Sequence, residues 1–223
     1  MFNMSAMNRR LIKDLAKTMS KNVEHFDKTE TECLVREFYV LLDVHVSPGK
    51  ECQGVDRERF RGFLHSVFGM SRDTMMDGVF RAFDKDRDGF ISLKEWIQGL
   101  SVFLRGTLDE QIKHCFSVYD LNGDQFISRA EMLHLLKDSL HRRPTEDDSD
   151  EDYDPAEGVK ELVDMTMSRM DADGDGRVSF EDFQAAVKRS SLLLEAFGPC
   201  LPDASPVEKF EQQVFTSSYD DVL

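Results

Sequence analysis

The sequence lacks the features that would direct a protein to or across a membrane. No apolar run among its 223 residues approaches the roughly 18 residues that a membrane-spanning helix needs. The first residues, MFNMSAMNRRLIKDLAK, contain no apolar stretch typical of a secretory signal. Phe2 stands where N-myristoylation would require glycine. We therefore expect no membrane anchor and no secretion.

Basic residues are scarce as well. Lysine and arginine number 28 against 43 aspartates and glutamates, and the formal net charge is −15. A nucleic-acid-binding surface needs a basic face, so we expect no nucleic-acid partner. Part of the excess acid lies in TEDDSDEDYDPAE, residues 145–157. We interpret this stretch as a solvated loop, and a contact with a basic partner is the alternative.

Cysteine is also rare, and no CxxC pair occurs. The four cysteines are Cys33, Cys52, Cys115 and Cys200. Cys33 and Cys115 stand among apolar residues at helical spacing, which is typical of small buried side chains. We therefore predict buried, reduced thiols, and neither a disulfide framework nor a zinc site.

What the chain does contain is a twelve-residue pattern that occurs three times. The copies are DKDRDGFISLKE at 84–95 (loop A), DLNGDQFISRAE at 120–131 (loop B) and DADGDGRVSFED at 171–182 (loop C). Each copy has aspartate at positions 1 and 5, a β-branched apolar residue at position 8 and serine at position 9. Three copies indicate a repeat architecture rather than a chance match.

The spacing of the repeat suits a calcium ion. Calcium is a hard cation that takes roughly 6–8 oxygen ligands, supplied by positions 1, 3, 5, 7, 9 and 12 of such a loop. Position 7 contributes its backbone carbonyl, position 9 acts through water, and position 12 grips with both carboxylate oxygens. The predicted ligands are Asp84, Asp86, Asp88, Phe90, Ser92 and Glu95 in loop A, Asp120, Asn122, Asp124, Phe126, Ser128 and Glu131 in loop B, and Asp171, Asp173, Asp175, Arg177, Ser179 and Asp182 in loop C.

The three loops are not equivalent. Loop A meets every requirement and is predicted to bind calcium most tightly. Loop B has Gln125 at position 6, where a left-handed turn favours glycine, and a side chain there costs roughly 1–2 kcal/mol. Loop C has Gly176 but ends in Asp182, which is one methylene shorter than glutamate. We expect B to be a weakened site and C a weaker calcium site or one holding Mg²⁺ at rest. An empty loop is the alternative for both.

Apolar residues at spacings of three and four flank each loop and predict one apolar helix face on either side. Helix–loop–helix units of this kind are EF-hands, and EF-hands pair, so three imply a fourth. Residues 30–42, ETECLVREFYVLL, and 56–68, DRERFRGFLHSVF, predict its two helices. The segment between them lacks the ligand spacing, so we predict a degenerate hand in which Val55 pairs with Ile91.

The predicted fold is all-α, with four EF-hand units in two pairs, short β pairings between loops and a C-terminal helical tail. Val207, Phe210, Val214 and Phe215 fall on one helical face of the tail. The tail either completes a core or lies in a groove as a plug that a partner displaces. The predicted segments are an N-terminal helical segment at 1–24, EF-hand pairs at 25–105 and 106–190, and the tail at 191–223.

Longer stretches of the chain resemble a known family. VFRAFDKDRDGF and GLSVFLRGTLDEQIKHCFSVYDLNGD resemble the neuronal calcium sensor family, whose members have four EF-hands and a non-binding first loop. EWIQGLSVFLRG, the final Asp182 and LLLEAFGPCLPD resemble the branch found in the axoneme of cilia and flagella. That resemblance implies a cytoplasmic and cytoskeletal calcium sensor that associates with outer-arm dynein or its docking complex on microtubule doublets. The missing glycine at position 2 departs from the wider family.

The function expected from sequence is therefore calcium-dependent binding to another protein by a chain that is monomeric when alone. Calcium at Glu95 and Glu131 would pull the following helices and open an apolar groove. Three alternatives stay open. They are a docking subunit that acts with or without calcium, a regulatory subunit of a phosphatase or channel, and a passive calcium buffer. No acid–base pair, nucleophile motif or phosphate loop supports enzyme activity.

Overall fold

The computed structural model of the chain describes residues 6–42, 54–137 and 155–216. Within these ranges the chain forms ten α-helices and four short strands. The helices are α1 (Ala6–Met19), α2 (Lys28–Leu42), α3 (Arg57–Phe68), α4 (Asp73–Phe83), α5 (Leu93–Arg105), α6 (Leu108–Tyr119), α7 (Arg129–Leu136), α8 (Pro155–Met170), α9 (Phe180–Arg189) and α10 (Ala204–Phe215). The strands are β1 (Val55–Asp56), β2 (Phe90–Ile91), β3 (Phe126–Ser128) and β4 (Arg177–Ser179), and 3₁₀ turns cover Ser20–Asn22 and Ser191–Glu195. The all-α EF-hand fold with short β pairings is confirmed.

The strands pair in two antiparallel ribbons, β1 with β2 and β3 with β4. In the first ribbon Val55 lies opposite Ile91, which confirms the predicted register. In the second ribbon Ile127 lies opposite Val178. These four residues are completely buried, so position 8 of each loop carries an apolar residue because it enters the core between two paired loops.

The described chain divides into two compact units, one of Met1–Thr107 with Leu201–Leu223 and one of Leu108–Cys200. Trp96 lies at the centre of the first unit, where its ring centroid is 4.8 Å from that of Phe63 and 6.4 Å from that of Phe60. Its indole Nε1 donates to the carbonyl of Leu34 at 3.2 Å. Each such buried aromatic side chain stabilises the fold by about 1.5–3 kcal/mol. The cluster thereby fixes α2, α3 and α5 around one core.

In the second unit, the 3₁₀ turn after α9 packs against α6. Tyr119 donates from its hydroxyl to the carbonyl of Gly198 at 2.7 Å, and its ring lies edge-on to Phe197 with centroids 5.0 Å apart. Beside this contact, Cys115 and Cys200 form a disulfide. The prediction of reduced thiols is wrong for these two residues, because the fold brings the end of the second unit back onto α6. It is confirmed for Cys33, which is free and buried.

Several predictions lie outside the described residues. The degenerate loop falls largely at 43–53, including Cys52, and the acidic stretch 145–157 is described only from residue 155 onward. None of the described helices has the length and apolar character needed to cross a membrane.

Candidate calcium-binding loops

Each of the three loops begins where one helix ends and finishes in the first turn of the next. Loop A joins α4 to α5, loop B joins α6 to α7, and loop C joins α8 to α9. In loops A and C the three aspartates at positions 1, 3 and 5 bring carboxylate oxygens within 4.8 Å of one another. Three carboxylates at this separation repel each other unless a cation lies between them.

Position 1 organises the turn of every loop. In loop A the amide of Gly89, at position 6, donates to Oδ2 of Asp84 at 3.0 Å. The equivalent bond runs from Gln125 to Asp120 in loop B at 2.9 Å and from Gly176 to Asp171 in loop C at 3.0 Å. The first aspartate therefore fixes the curl of the backbone in addition to offering an oxygen to a cation.

The residue at position 12 serves the loop and the following helix at once. Glu95 accepts from the amide of Lys85 at 2.7 Å through Oε1 and from the amide of Ser92 at 2.9 Å through Oε2. Glu131 does the same in loop B, with the amide of Leu121 at 2.9 Å and that of Ser128 at 2.8 Å. Each carboxylate thus lies between the loop and the first turn of the next helix.

The serine at position 9 caps that helix. In loop A, Ser92 is the N-cap of α5, its Oγ accepts from the amide of Glu95 at 3.3 Å, and Glu95 accepts from the amide of Ser92 in return. The same reciprocal capping box starts α7 at Ser128 and α9 at Ser179. Serine was predicted from sequence only as a ligand acting through water, and the S-x-x-E/D spacing is the signal that identifies its second role.

Loop C differs at its end because Asp182 is short. Its Oδ1 lies 3.4 Å from the amide of Ala172, whereas Glu95 reaches the equivalent amide at 2.7 Å. Its other oxygen still holds Ser179, with 3.1 Å to the amide. The capping function is therefore intact, and the reach across the loop is reduced, as the shorter side chain predicts.

Left-handed backbone occurs at two positions of each loop. Position 6 has φ of 88° at Gly89, 71° at Gln125 and 84° at Gly176. Position 4 is also left-handed, with φ of 61° at Arg87, 75° at Gly123 and 74° at Gly174, respectively. The left-handed turn predicted at Gln125 is confirmed. Loop A has the predicted ligands and Gly89 at position 6, and it carries in addition a side chain, that of Arg87, at a left-handed position that was not predicted from the sequence.

The pKa shifts of the loop carboxylates differ in direction from one residue to another. Burial raises the pKa of Asp84. The hydrogen bond from the amide of Gly89 opposes this rise, and the negative charge of the nearby Glu95 adds to it. Burial would also raise the pKa of Glu95, but its hydrogen bonds from Ser92, Lys85 and Asp86 outweigh burial and lower it. Burial is the largest single influence on Asp171 and would raise its pKa, but the hydrogen bonds it accepts, chiefly from the amides of Gly176 and Gly174, together outweigh burial and lower that pKa.

The donor sets fit a calcium ion. Every predicted side-chain ligand offers an oxygen atom. The residues at position 7 lie in the short strands β2, β3 and β4, and the ligand that each offers is its backbone carbonyl oxygen. In loop B, Asn122 takes the place of an aspartate and donates from Nδ2 to Asp124 at 3.0 Å. Loop B therefore offers one negative charge fewer than loop A, with the same number of oxygen-bearing side chains.

Comparison with known proteins agrees with this geometry. The family profile described as an EF-hand domain pair matches residues 109–188, and one described as an EF hand matches residues 75–101. The calaxin of Danio rerio is 56% identical over 94% of this chain and 96% of its own length. The chain belongs to the calaxin family. Human calaxin is 51% identical over 94% of the chain and 96% of its own length. A calcineurin subunit of Candida glabrata is 31% identical over 75% of the chain and 85% of its own length.

This calaxin-family chain is therefore a calcium sensor of the EF-hand class. Sequence reasoning missed two features of its site regions, the strained Arg87 and the disulfide next to loop B. Glycine at position 4 of the other two loops was the available signal for Arg87. The pairing of Cys115 with Cys200 gave no sequence signal, since 85 residues separate them.

Proposed function

We propose that this chain binds outer-arm dynein or its docking complex on axonemal microtubule doublets and alters motor behaviour as calcium rises. The observation that carries the sensor part is the double engagement of Glu95 and Glu131. Each carboxylate is bonded to amides of its own loop and to the N-cap of the following helix. A calcium ion that takes both oxygens of such a residue must change those bonds and re-aim the helix.

A protein partner is favoured over lipid or nucleic acid. The net charge of −15 disfavours binding to phosphates. It also disfavours direct attachment to an acidic microtubule surface, so a docking protein is the expected anchor. The choice of outer-arm dynein or its docking complex is supported by membership of the calaxin family and by the resemblance to axonemal sensors. On the same grounds we place the protein in the cytoplasm, on the axoneme of cilia and flagella.

Extraction of demembranated cilia tests the location. Axonemes are treated first with detergent and then with rising salt, and each fraction is blotted for this protein, for outer-arm dynein and for docking-complex components. The protein is expected to stay through detergent and to leave with dynein or docking components. Release by detergent, before any axonemal component leaves, would contradict the proposal, as would normal dynein arms and normal waveform responses to calcium in cells lacking it.

A dye measurement separates a sensor from a passive buffer. A sensor exposes apolar surface when calcium binds, so the fluorescence of a hydrophobic dye rises, whereas a buffer shows little change. Titration of calcium in excess Mg²⁺ tests the occupancy of loop C in the same samples. A loop that holds Mg²⁺ at rest binds calcium with an apparent affinity that falls as Mg²⁺ rises.

A second candidate is a regulatory subunit of a phosphatase. The likeness to a calcineurin subunit favours it, at 31% identity over 75% of the chain. Reconstitution distinguishes the two. In the phosphatase role, the purified chain restores calcium-dependent activity to calcineurin from which the similar subunit has been removed. In the axonemal role it does not, and it binds extracted axonemes instead. Neither role requires catalysis by this chain.

A further inference from the structure

The helix α10 contributes few buried side chains to the core of the first unit. It packs against α2 and α3, yet only Phe210 and Val214 on it are buried. Phe210 inserts between aromatic side chains, with ring centroids 6.0 Å from Phe63 and 5.5 Å from Phe68. By contrast, six residues of α5 are buried in the same unit. A helix held by two buried side chains can be exchanged for another helix more readily than one held by six, such as α5.

A polar contact lies beside the aromatic side chains that surround Phe210. Arg105, the last residue of α5, donates from Nε to Oε1 of Glu211 at 2.7 Å. It also donates to Oε1 of Glu30 on α2 at 2.8 Å and to the carbonyl of His25 at 3.0 Å. The guanidinium therefore joins α10 to α5 and α2 through charge-assisted hydrogen bonds.

Aromatic rings hold the guanidinium in place. Its central carbon lies 5.0 Å from the ring centroid of Phe26 and 5.4 Å from that of Phe215. The side chain of Arg105 is 31% exposed and that of Glu211 is 25% exposed. Burial alone would lower the pKa of Arg105, but its hydrogen bonds to Glu211 and Glu30 outweigh burial and raise it. A fixed, partly buried cation of this kind favours a carboxylate over a neutral group at one point of the groove.

From this geometry we propose that Arg105 is the specificity-determining residue of the partner groove formed by α2, α3 and α5. The groove takes an amphipathic helix in which an acidic residue directly follows a large apolar anchor and a second apolar pair comes one turn later. Phe210, Glu211, Val214 and Phe215 are the chain's own copy of that pattern. A protein partner with such a helix displaces α10 and presents its carboxylate to Arg105. This inference deepens the proposed function by naming what the partner presents, and it holds whichever protein carries the helix.

A direct test uses a fluorescent peptide with the sequence of residues 203–216, DASPVEKFEQQVFT. The peptide is added as a separate molecule and represents the helix of a partner. The full-length chain carrying Phe210→Ala, which loosens its own α10, is titrated against the peptide. We expect this variant to bind the peptide more tightly than the unaltered chain does, because the groove is no longer filled by a competitor at high effective concentration. Binding of equal strength to both chains would place the peptide elsewhere and overturn the proposal.

The role of the carboxylate is measured with two matched peptides. Glu211→Gln in the peptide is expected to weaken binding about tenfold, from the loss of one charge-assisted hydrogen bond. Glu208→Gln, one turn earlier and exposed, is expected to change little. With Arg105→Gln added to the chain, the difference between the unaltered peptide and its Glu211→Gln form should disappear. A Glu211→Gln peptide that binds as tightly as the unaltered peptide, or a difference that persists without Arg105, contradicts the proposal.

Hydrogen exchange provides a readout that does not depend on peptide binding. In the full-length chain, Glu211→Gln should accelerate amide exchange across α10 about tenfold relative to the unaltered chain, and Glu208→Gln should not. Unchanged exchange in the Glu211→Gln chain would overturn the role of Arg105. Neither measurement involves dynein or axonemes. A failure of the axonemal proposal therefore leaves these outcomes intact, and a failure here leaves the axonemal proposal to its own test.

Discussion

Loops A and B each contain one left-handed residue other than glycine, but at different positions. In loop A it is Arg87 at position 4, and in loop B it is Gln125 at position 6. Both loops nevertheless keep the bond from the position-6 amide to the first aspartate, at 3.0 Å in A and 2.9 Å in B. The geometry is thus set by the aspartate and the strand pairing, and the unfavourable residue adds a cost without changing the shape.

Loops A and B differ in the charge of their ligands and not in the number of left-handed side chains. Missing glycine alone does not separate A from B, since each has one side chain at a left-handed position. What does separate them is charge, because Asn122 in loop B replaces a carboxylate that loop A has at Asp86. Loop C has glycine at both left-handed positions and lacks reach at Asp182 instead. Each loop therefore departs from the ideal in its own way.

The largest expected effect concerns the disulfide between Cys115 and Cys200. It ties α6, which leads into loop B, and no described cysteine pair ties α4, which leads into loop A. For a separation of 85 residues, reduction should lower the unfolding free energy of the second unit by about 4.5 kcal/mol. Hydrogen exchange of α6 with and without reductant measures this change.

The fluorescence of Trp96, the single tryptophan of the chain, serves as the control because that residue lies in the first unit. Its unfolding transition is expected to change little on reduction. Peptide mapping without reductant should recover the peptides containing Cys115 and Cys200 joined. Separate peptides would show that the cysteines are not bonded in the isolated protein.

The next effect concerns Glu95. Replacement by glutamine removes the negative charge and replaces one of the two oxygens that accept four hydrogen bonds by an NH2 group, which should weaken calcium binding at loop A by roughly 2–3 kcal/mol. Calorimetric titration should then lose its tightest step. Glu58→Gln, on the exposed face of α3, is the control for removal of a surface charge. If Asp182→Ala removes the tightest step and Glu95→Gln changes nothing, then loop C, not loop A, is the tightest site.

Whether a structural feature could be predicted from the sequence depends on how far apart in the chain the interacting residues lie. Position 8 could be read locally, because a β-branched residue at the end of each loop pairs with its counterpart, as Val55 does with Ile91. The carboxylate contact of Arg105 could not be read, because Glu211 lies more than a hundred residues later and reaches it only through the packing of α10. The left-handed Arg87 lies between these cases. Its position recurs in each loop, but arginine itself gives no sign of positive φ.

A smaller effect is expected at Gln125. Gln125→Gly should raise the unfolding free energy of the second unit in saturating calcium by about 1 kcal/mol, since glycine adopts positive φ without a clash. The same measurement without calcium shows whether the strain is present before the ion binds, in which case stability rises and affinity does not. Gln125→Ala keeps a Cβ and should give no gain. An unchanged value for Gln125→Gly would mean that φ of 71° costs this loop nothing.

The smallest expected effect tests the same idea in loop A. Asparagine tolerates left-handed backbone better than other residues with side chains, so Arg87→Asn should stabilise the calcium-loaded first unit by only about 0.5 kcal/mol. The change also removes a positive charge from an acidic loop, and that alone could favour calcium. Arg87→Gln separates the two causes, because it removes the charge but has no preference for positive φ. If Arg87→Gln gives the same gain as Arg87→Asn, the loss of charge explains the effect. The left-handed backbone at Arg87 then costs loop A no measurable stability. If only Arg87→Asn gains, both loops lose stability to one left-handed side chain, and the charge of Asp86 is left as the main reason for A to bind more tightly than B.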